Sequence, residues 1–143
     1  MPIQFFFIDV KITLSERRRL KTFIERMFRN EGIQINSLVI IFCSDEYLLG
    51  VNRRFLKHDY YTDIITFNLA DKEKLVEGEI YISTDRIREN ALINKVALQN
   101  ELHRIIFHGV LHLCGFKDKK SDEKTLMTIE ENMYLKMYFI GED

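Results

Sequence analysis

The sequence predicts a single α/β (α+β) domain in which helices pack on a mixed sheet of about four strands, in two or three layers. The 143 residues are the size of one domain, and neither an internal repeat nor a linker divides them. Short β-branched and aromatic runs alternate with segments whose apolar residues recur at helical spacing. A content of 46% hydrophobic and 30% charged residues with a single Pro indicates a globular protein and excludes collagen-like, Pro-rich and disordered classes.

The first half of the chain predicts two strands and two helices. Residues 3–10 are rich in Phe and Ile, which favours a strand. Apolar residues then recur at helical spacing from Ser15, a possible N-cap, to Gly32, which can end a helix. Residues 35–43 form a β-branched run of strand length, and residues 44–55 begin with a capping serine and predict a short helix.

The second half predicts two strands followed by three helices. Residues 63–69 alternate as a strand does, and a charged, hairpin-like connection leads to a second strand at 78–83. A helix over 84–96 would be capped by one of its first two residues, and a very apolar helix covers 98–114. Ser121, followed by two acidic residues, begins the last helix.

Charge and cysteine content narrow the class of protein. The 21 Lys and Arg residues against 22 Asp and Glu residues give a net charge of -1, so a polyanionic partner would have to bind to a local patch. The apolar run near the N-terminus is too short to span a membrane and lacks a basic leader, so we expect neither a membrane segment nor a signal peptide. The two cysteines lack C-x-x-C spacing, as expected of reduced thiols in a cytoplasmic protein.

The most informative segment lies at the end of the apolar helix. His108 and His112 are four residues apart, so both imidazoles lie on one helix face and can reach one metal ion. Gly115 then stops the helix, and the turn can bring Asp118 back to the same ion. Two His and one carboxylate form a catalytic zinc set that leaves a fourth position open for water. The spacing therefore predicts a metal centre at His108, His112 and Asp118.

Other residues near His108 and His112 bear on whether the segment binds a metal and on which reaction the metal could serve. A pair of histidines four residues apart on a helix is often incidental, and Asp118 could instead be a turn residue that pairs with neighbouring lysines. His103 points about 140° away from His108 around the helix, so it is not expected to be a ligand. Zinc peptidases of this spacing carry Glu directly after the first His, whereas Gly109 stands here, and that mechanism would lack its base.

Several motifs resemble one known family. The run 108–115, His-Gly-Val-Leu-His-Leu-Cys-Gly, is similar to the signature of the YbeY family of bacterial ribosomal RNA maturation factors, which are single-strand-specific, metal-dependent endoribonucleases. The segments 51–67 and 78–83 resemble two further motifs of that family. Two positions depart from its pattern, because Asp118 stands where members commonly carry a third His, and Leu56 where they carry an Arg.

The resemblance implies a zinc-dependent endoribonuclease in 16S ribosomal RNA 3′ end maturation and ribosome quality control, formed by one domain over residues 1–143. It implies one Zn²⁺ per chain, with His108, His112 and Asp118 as the metal-binding residues that act in catalysis through the ion. The expected partners are single-stranded RNA, ribosomal RNA and the small ribosomal subunit, with no membrane, and the expected location is cytoplasmic.

Two other functions stay open at this point. A non-catalytic RNA or ribosomal-protein binding factor in small-subunit assembly, with a structural metal, is favoured by Leu56, because leucine lacks the forked donors with which Arg holds a phosphate. A metallohydrolase of other substrates is disfavoured by Gly109.

Cations and aromatic rings near these motifs are candidates for substrate binding, because single-stranded RNA is held through its backbone charges and by rings that stack on its bases. The candidate cations are Arg54, Lys57, His58 and Lys117. A solvated charged face is the alternative for these residues. Tyr60 and Tyr61 could stack on bases, although one of them is expected to pack inward at the start of a strand.

Two acidic residues are candidates for supporting roles. Glu101 lies near the helix face of His108 and could orient its imidazole or pair with Arg104. Asp63 precedes a strand and could cap it or form an ion pair. The Phe and Met residues are expected to form the core.

Overall fold

A mixed sheet forms the centre of the computed structural model, which describes residues 2–141. Within these residues the strands are β1 (Ile3–Phe7), β2 (Gln34–Cys43), β3 (Ile64–Asn68) and β4 (Leu75–Ser83). Their order in the sheet is β1–β2–β4–β3, with β1, β2 and β4 parallel and β3 antiparallel to β4. The expected α+β fold with a four-stranded mixed sheet is confirmed.

Helices connect and cover the strands. They are α1 (Arg17–Asn30), α2 (Asp45–Val51), a π-helical segment (Asn52–Leu56), α3 (Thr84–Asn94), α4 (Leu98–Leu113) and α5 (Ser121–Phe139). The helices α1 and α4 contact each other and the sheet, so they share one of its faces, and α5 packs on α4. No helix within residues 2–141 has the length and hydropathy needed to cross a membrane.

Helix α4 is buried along most of its length because it contacts both the sheet and α5. Five of its apolar side chains have no exposed surface: Leu102, Ile106, Phe107, Val110 and Leu111. Full burial of a large apolar side chain contributes about 1.5–3 kcal/mol. This packing fixes the helix that carries both His108 and His112.

Some element boundaries differ from the expected ones. Ser15 does not cap α1, because the N-cap position is occupied by Glu16. The backbone of Glu16 is in the left-handed region (φ 52°), and its side chain forms no capping hydrogen bond. The first strand ends at Phe7 rather than at residue 10. Ser83 caps α3 in place of one of the first two helical residues, whereas Ser44 caps α2 as expected.

The expectation that Phe and Met residues form the core is wrong at several positions. Phe55 is 60% exposed, and Met133 on α5 is exposed together with Leu126 and Ile129. The opposite face of α5 buries Tyr134 among other side chains. Helix α5 therefore carries apolar residues on two faces, and periodicity alone does not indicate which face packs on α4.

Candidate metal centre

Two histidines and one aspartate converge at the C-terminal end of α4. Nε2 of His108 lies 3.0 Å from Nε2 of His112, because residues four apart lie one helical turn above one another. Oδ2 of Asp118 lies 3.2 Å from Nε2 of His108 and 3.1 Å from Nε2 of His112. The structure thus brings together the three residues on which the predicted metal centre depends.

Gly115 returns the chain to the histidines. It follows the end of α4 with φ 105°, in the left-handed region that favours glycine. Its N–H donates to the carbonyl of His112 at 3.0 Å, and the N–H of Phe116 donates to the carbonyl of Leu111 at 3.0 Å. These bonds satisfy carbonyls at the helix end and reverse the chain, which places Asp118 beside the two rings.

The second nitrogen of each ring has its own partner. Nδ1 of His112 donates to the carbonyl of Phe116 at 3.0 Å, and since a carbonyl only accepts, this nitrogen carries a proton. Nδ1 of His108 lies 2.5 Å from Oε2 of Glu131, a carboxylate oxygen that also accepts. When the rings are neutral, both Nε2 atoms therefore present lone pairs toward Asp118.

The donor set fits a zinc ion. Three atoms with lone pairs, all within 3.2 Å of one another, cannot satisfy each other by hydrogen bonding, so they need a cation or an added proton between them. Around a tetrahedral zinc ion with bonds of about 2.0–2.1 Å, ligand atoms lie about 3.4 Å apart. The observed separations of 3.0–3.2 Å are close to this value.

The surroundings of His108 are acidic. Burial lowers the pKa of His108, but the hydrogen bond and charge of Glu131, together with the charges of Asp118 and Asp63, raise it by more. The pKa of His108 is therefore above its ordinary value. Negative charge of this kind also favours a bound cation.

The side chains of the centre are partly exposed to solvent. The side chains of His108, His112 and Asp118 are 18%, 24% and 37% exposed. A cavity of about 340 Å³ lies beside two of these residues and is lined by His112, Lys117, Asp118, Lys119 and Glu123. Two lysines and two of the predicted ligands therefore border the same cavity.

The other candidate cations lie on the π-helical segment and the chain after it. Arg54 lines a separate cavity of about 310 Å³ with Phe55 and Tyr81. Lys57 is exposed and ends the segment in the left-handed region (φ 56°). The exposed ring of His58 stacks on Tyr60 with 5.2 Å between ring centroids. Of the four candidate cations, which all lie within the described residues, only Lys117 lines the cavity beside the predicted ligands.

Both tyrosines of the adjoining loop are exposed. Tyr60 is 56% exposed and Tyr61 is 46% exposed, so the expectation that one of them packs inward is wrong. The strand β3 begins only at Ile64, which leaves both rings in the preceding loop. The hydroxyl of Tyr61 donates to Glu46, and the guanidinium of Arg86 lies 5.5 Å from its ring centroid.

The carboxylate that contacts Nδ1 of His108 is that of Glu131, and not that of Glu101. Glu101 is buried, and burial raises its pKa. Its expected partner, Arg104, instead donates to Oε1 of Glu131 at 2.9 Å. Sequence reasoning missed Glu131 because it lies 23 residues after His108, on another helix. No sequence signal indicates Glu131, since α5 carries apolar residues on two faces and their spacing does not show which face packs on α4.

Comparison with known proteins identifies the family. A family model described as endoribonuclease YbeY matches residues 8–138. Proteins named endoribonuclease YbeY from Cytophaga hutchinsonii and Bacteroides thetaiotaomicron are each 44% identical to this chain; the first match covers 94% of both chains, and the second covers 90% of this chain and 93% of the relative. The solution structure of TM1509 from Thermotoga maritima has a similar fold, with a TM-score of 0.64 and 23% identity over 96% of this chain and 89% of that one. The chain belongs to the endoribonuclease YbeY family.

Proposed function

We propose that this enzyme is a zinc-dependent, single-strand-specific endoribonuclease, that one Zn²⁺ per chain is held by His108, His112 and Asp118, and that residues 1–143 act as one catalytic domain. The observation that carries the proposal is the set of three lone-pair atoms within 3.2 Å of one another, with both Nδ1 atoms already engaged by Glu131 and Phe116. The family and the names of its relatives support cleavage of RNA as the reaction.

The residues around the centre have separate tasks in this mechanism. When bound, zinc supplies Lewis acidity, which lowers the pKa of coordinated water and neutralises charge on a phosphodiester. The carbonyl of Phe116 holds the imidazole of His112 in one orientation. Lys117 and Lys119 line the cavity beside His112 and Asp118 and offer positive charge to the phosphate backbone of RNA.

The exposed segment after α2 supports binding of unpaired RNA. Arg54, Lys57 and His58 add positive charge there, and the stacked rings of His58 and Tyr60 offer a face on which a base can stack. Leu56 is 40% exposed and supplies no charge at the position where the family commonly carries an Arg. Arg54, two residues earlier, is the cation that we propose for contacts with the phosphate backbone.

We propose ribosomal RNA as the physiological substrate, with the enzyme acting in maturation of the 16S 3′ end and in ribosome quality control, in the cytoplasm, in contact with the small ribosomal subunit. The support is the resemblance of residues 51–118 to the family motifs and the family match over residues 8–138.

Metal content and RNA cleavage test the proposal together. Purified wild-type protein is expected to contain about one zinc ion per chain and to cleave labelled single-stranded RNA. His112→Ala removes one of three protein ligands, so both zinc content and cleavage should fall at least about tenfold. His58→Ala is the matched control for zinc, because His58 stacks on Tyr60 and is not one of the three predicted ligands. Its loss should leave the zinc content unchanged.

Two results would contradict the proposal. Cleavage at the wild-type rate by zinc-free His112→Ala would exclude the metal from the reaction. Wild-type protein that holds zinc and binds RNA but leaves it intact would favour the RNA-binding factor with a structural metal, the function that Leu56 favours.

A further inference from the structure

We propose that Glu131 is a positioning residue of the metal centre, which fixes the tautomer and orientation of His108, and that Arg104 fixes Glu131 in turn. This inference rests on the proposed metal-binding role of His108. It adds two residues, one on α4 and one on α5, that stand outside the three predicted ligands.

The contacts of Glu131 use both of its carboxylate oxygens. Oε2 lies 2.5 Å from Nδ1 of His108, and Oε1 accepts from Nη1 of Arg104 at 2.9 Å. Nη2 of Arg104 donates to Oδ1 of Asn132 at 2.9 Å, which anchors the guanidinium on α5 as well. The side chain of Glu131 is only 9% exposed, and a buried carboxylate is retained at low cost only when it is paired in this way.

This geometry determines which nitrogen of His108 faces the ion. A neutral imidazole carries its proton on one of its two nitrogens, and the carboxylate of Glu131 accepts only from a protonated Nδ1. The lone pair is then on Nε2, the atom that lies 3.0 Å from Nε2 of His112. Without Glu131, the ring is free to rotate and to place its proton on Nε2, where it would occupy the position of the metal.

The two histidines differ in what holds them. His112 is oriented by the carbonyl of Phe116, which belongs to the same helix end and turn. His108 depends on a side chain from α5, 23 residues away. The orientation of His108 therefore depends on the packing of α5 on α4. A substitution on α5 that displaces Glu131 should lower the affinity for the metal, even where the substituted residue contacts neither histidine.

Zinc affinity, measured by competition with a chromophoric chelator at fixed pH, tests the inference. Glu131→Ala is expected to weaken zinc binding about 10–100-fold, in line with the loss of other carboxylate partners of metal-binding histidines. Glu131→Gln should lose less, because its amide oxygen can still accept from Nδ1 of His108. Glu130→Ala is the matched control on α5, since Glu130 has no contact with either histidine among the described hydrogen bonds. The zinc affinity of this variant should equal that of the wild type.

A merely structural role for Glu131 makes a different prediction. In that case both variants lose thermal stability but bind zinc as tightly as the wild type, a result that would overturn the inference. Nitrogen-15 NMR of the metal-free protein gives an independent reading. Protonation of His108 at Nδ1 in the wild type and a mixture of tautomers in Glu131→Ala support the inference, whereas the same tautomer in both proteins overturns it.

If Glu131→Ala does not fold, Glu131→Met decides the question by the same two measurements, because its side chain has a similar length but no oxygen that can accept from Nδ1 of His108. Failure of this inference can be told apart from failure of the proposed function. A wild-type protein that binds zinc without cleaving RNA would contradict the function, whereas the zinc affinities of the Glu131 variants would still decide this inference.

Discussion

At the scale of single residues, packing explains why glycine stands at position 109, where zinc peptidases of this spacing carry Glu. Its side of α4 faces the sheet, and a Cβ there would lie 2.9 Å from Cδ1 of Ile64 and 3.1 Å from Cδ1 and Cγ2 of Ile80. A Glu at this position would have to enter the contact between helix and sheet rather than reach the metal centre. The glycine lets α4 approach β3 and β4 closely.

Gly109→Ala should therefore destabilise the protein. Overpacking costs about 1–3 kcal/mol, and the better helix propensity of Ala returns up to about 1 kcal/mol, so with the full return the free energy of unfolding should fall by up to about 2 kcal/mol. Gly50→Ala is the control, because beyond its chain neighbours and its own helix backbone no atom lies within 4 Å of an added Cβ, and it should raise stability by about 0.5–1 kcal/mol. Urea denaturation measures both, and a Gly109→Ala protein as stable as the Gly50→Ala protein would contradict the packing argument.

The sequence predicts the three candidate ligands because their geometry is local. Four residues of helix set the distance between His108 and His112, and one glycine turn sets the position of Asp118. Their binding of zinc stays a prediction. Glu131 could not be predicted in the same way, because its contact with His108 depends on how α5 packs on α4, and no sequence spacing encodes that packing.

At the scale of elements, periodicity predicts the existence of the strands and helices but not the details of their ends. The helix expected over residues 44–55 is an example, since its last part is π-helical from Asn52 to Leu56. Asn52 is 1% exposed; its side-chain N–H donates to the carbonyl of Tyr60 at 2.9 Å, and its own carbonyl accepts from the N–H of His58 at 3.2 Å. One buried side chain thus shapes the exposed loop, and the apolar pattern contains no signal for it.

Asn52→Ala should loosen the segment that carries the proposed RNA contacts. It leaves the carbonyl of Tyr60 without its donor, so the free energy of unfolding should fall by about 1–3 kcal/mol, and RNA affinity should fall as Lys57 and His58 lose their fixed positions. The exposed Asn36, which contacts Glu77, is the control, and Asn36→Ala should change stability by less than about 0.5 kcal/mol. Denaturant titration and RNA binding measure the effects. Equal losses of stability and of RNA affinity in both variants would contradict the role of Asn52 in holding this loop.

At the scale of the whole molecule, the pH dependence of stability depends on groups that the folded protein keeps out of water. His103 is 3% exposed, its ring stacks on Tyr138 at 5.1 Å between centroids, and its Nδ1 donates to the carbonyl of Gln99 at 2.7 Å. Burial lowers the pKa of His103; the hydrogen bond to Gln99 opposes this shift, and the charge of Arg19 adds to it. The net pKa of His103 lies below its ordinary value.

The sign of the effect follows from proton linkage. As pH falls below about 6.5, the unfolded chain binds a proton at His103 that the folded protein does not, so stability decreases by up to about 1.4 kcal/mol per pH unit until the lowered pKa of the folded state is reached. His103→Phe keeps an aromatic ring beside Tyr138 and removes this titration, so its free energy of unfolding should fall less between pH 7.5 and pH 5.5 than that of the wild type. Urea denaturation across this range, with a chelator in both samples, isolates His103 because the contributions of the other histidines are common to both proteins. Parallel pH profiles would show that His103 takes up its proton as readily in the folded protein as in the unfolded chain.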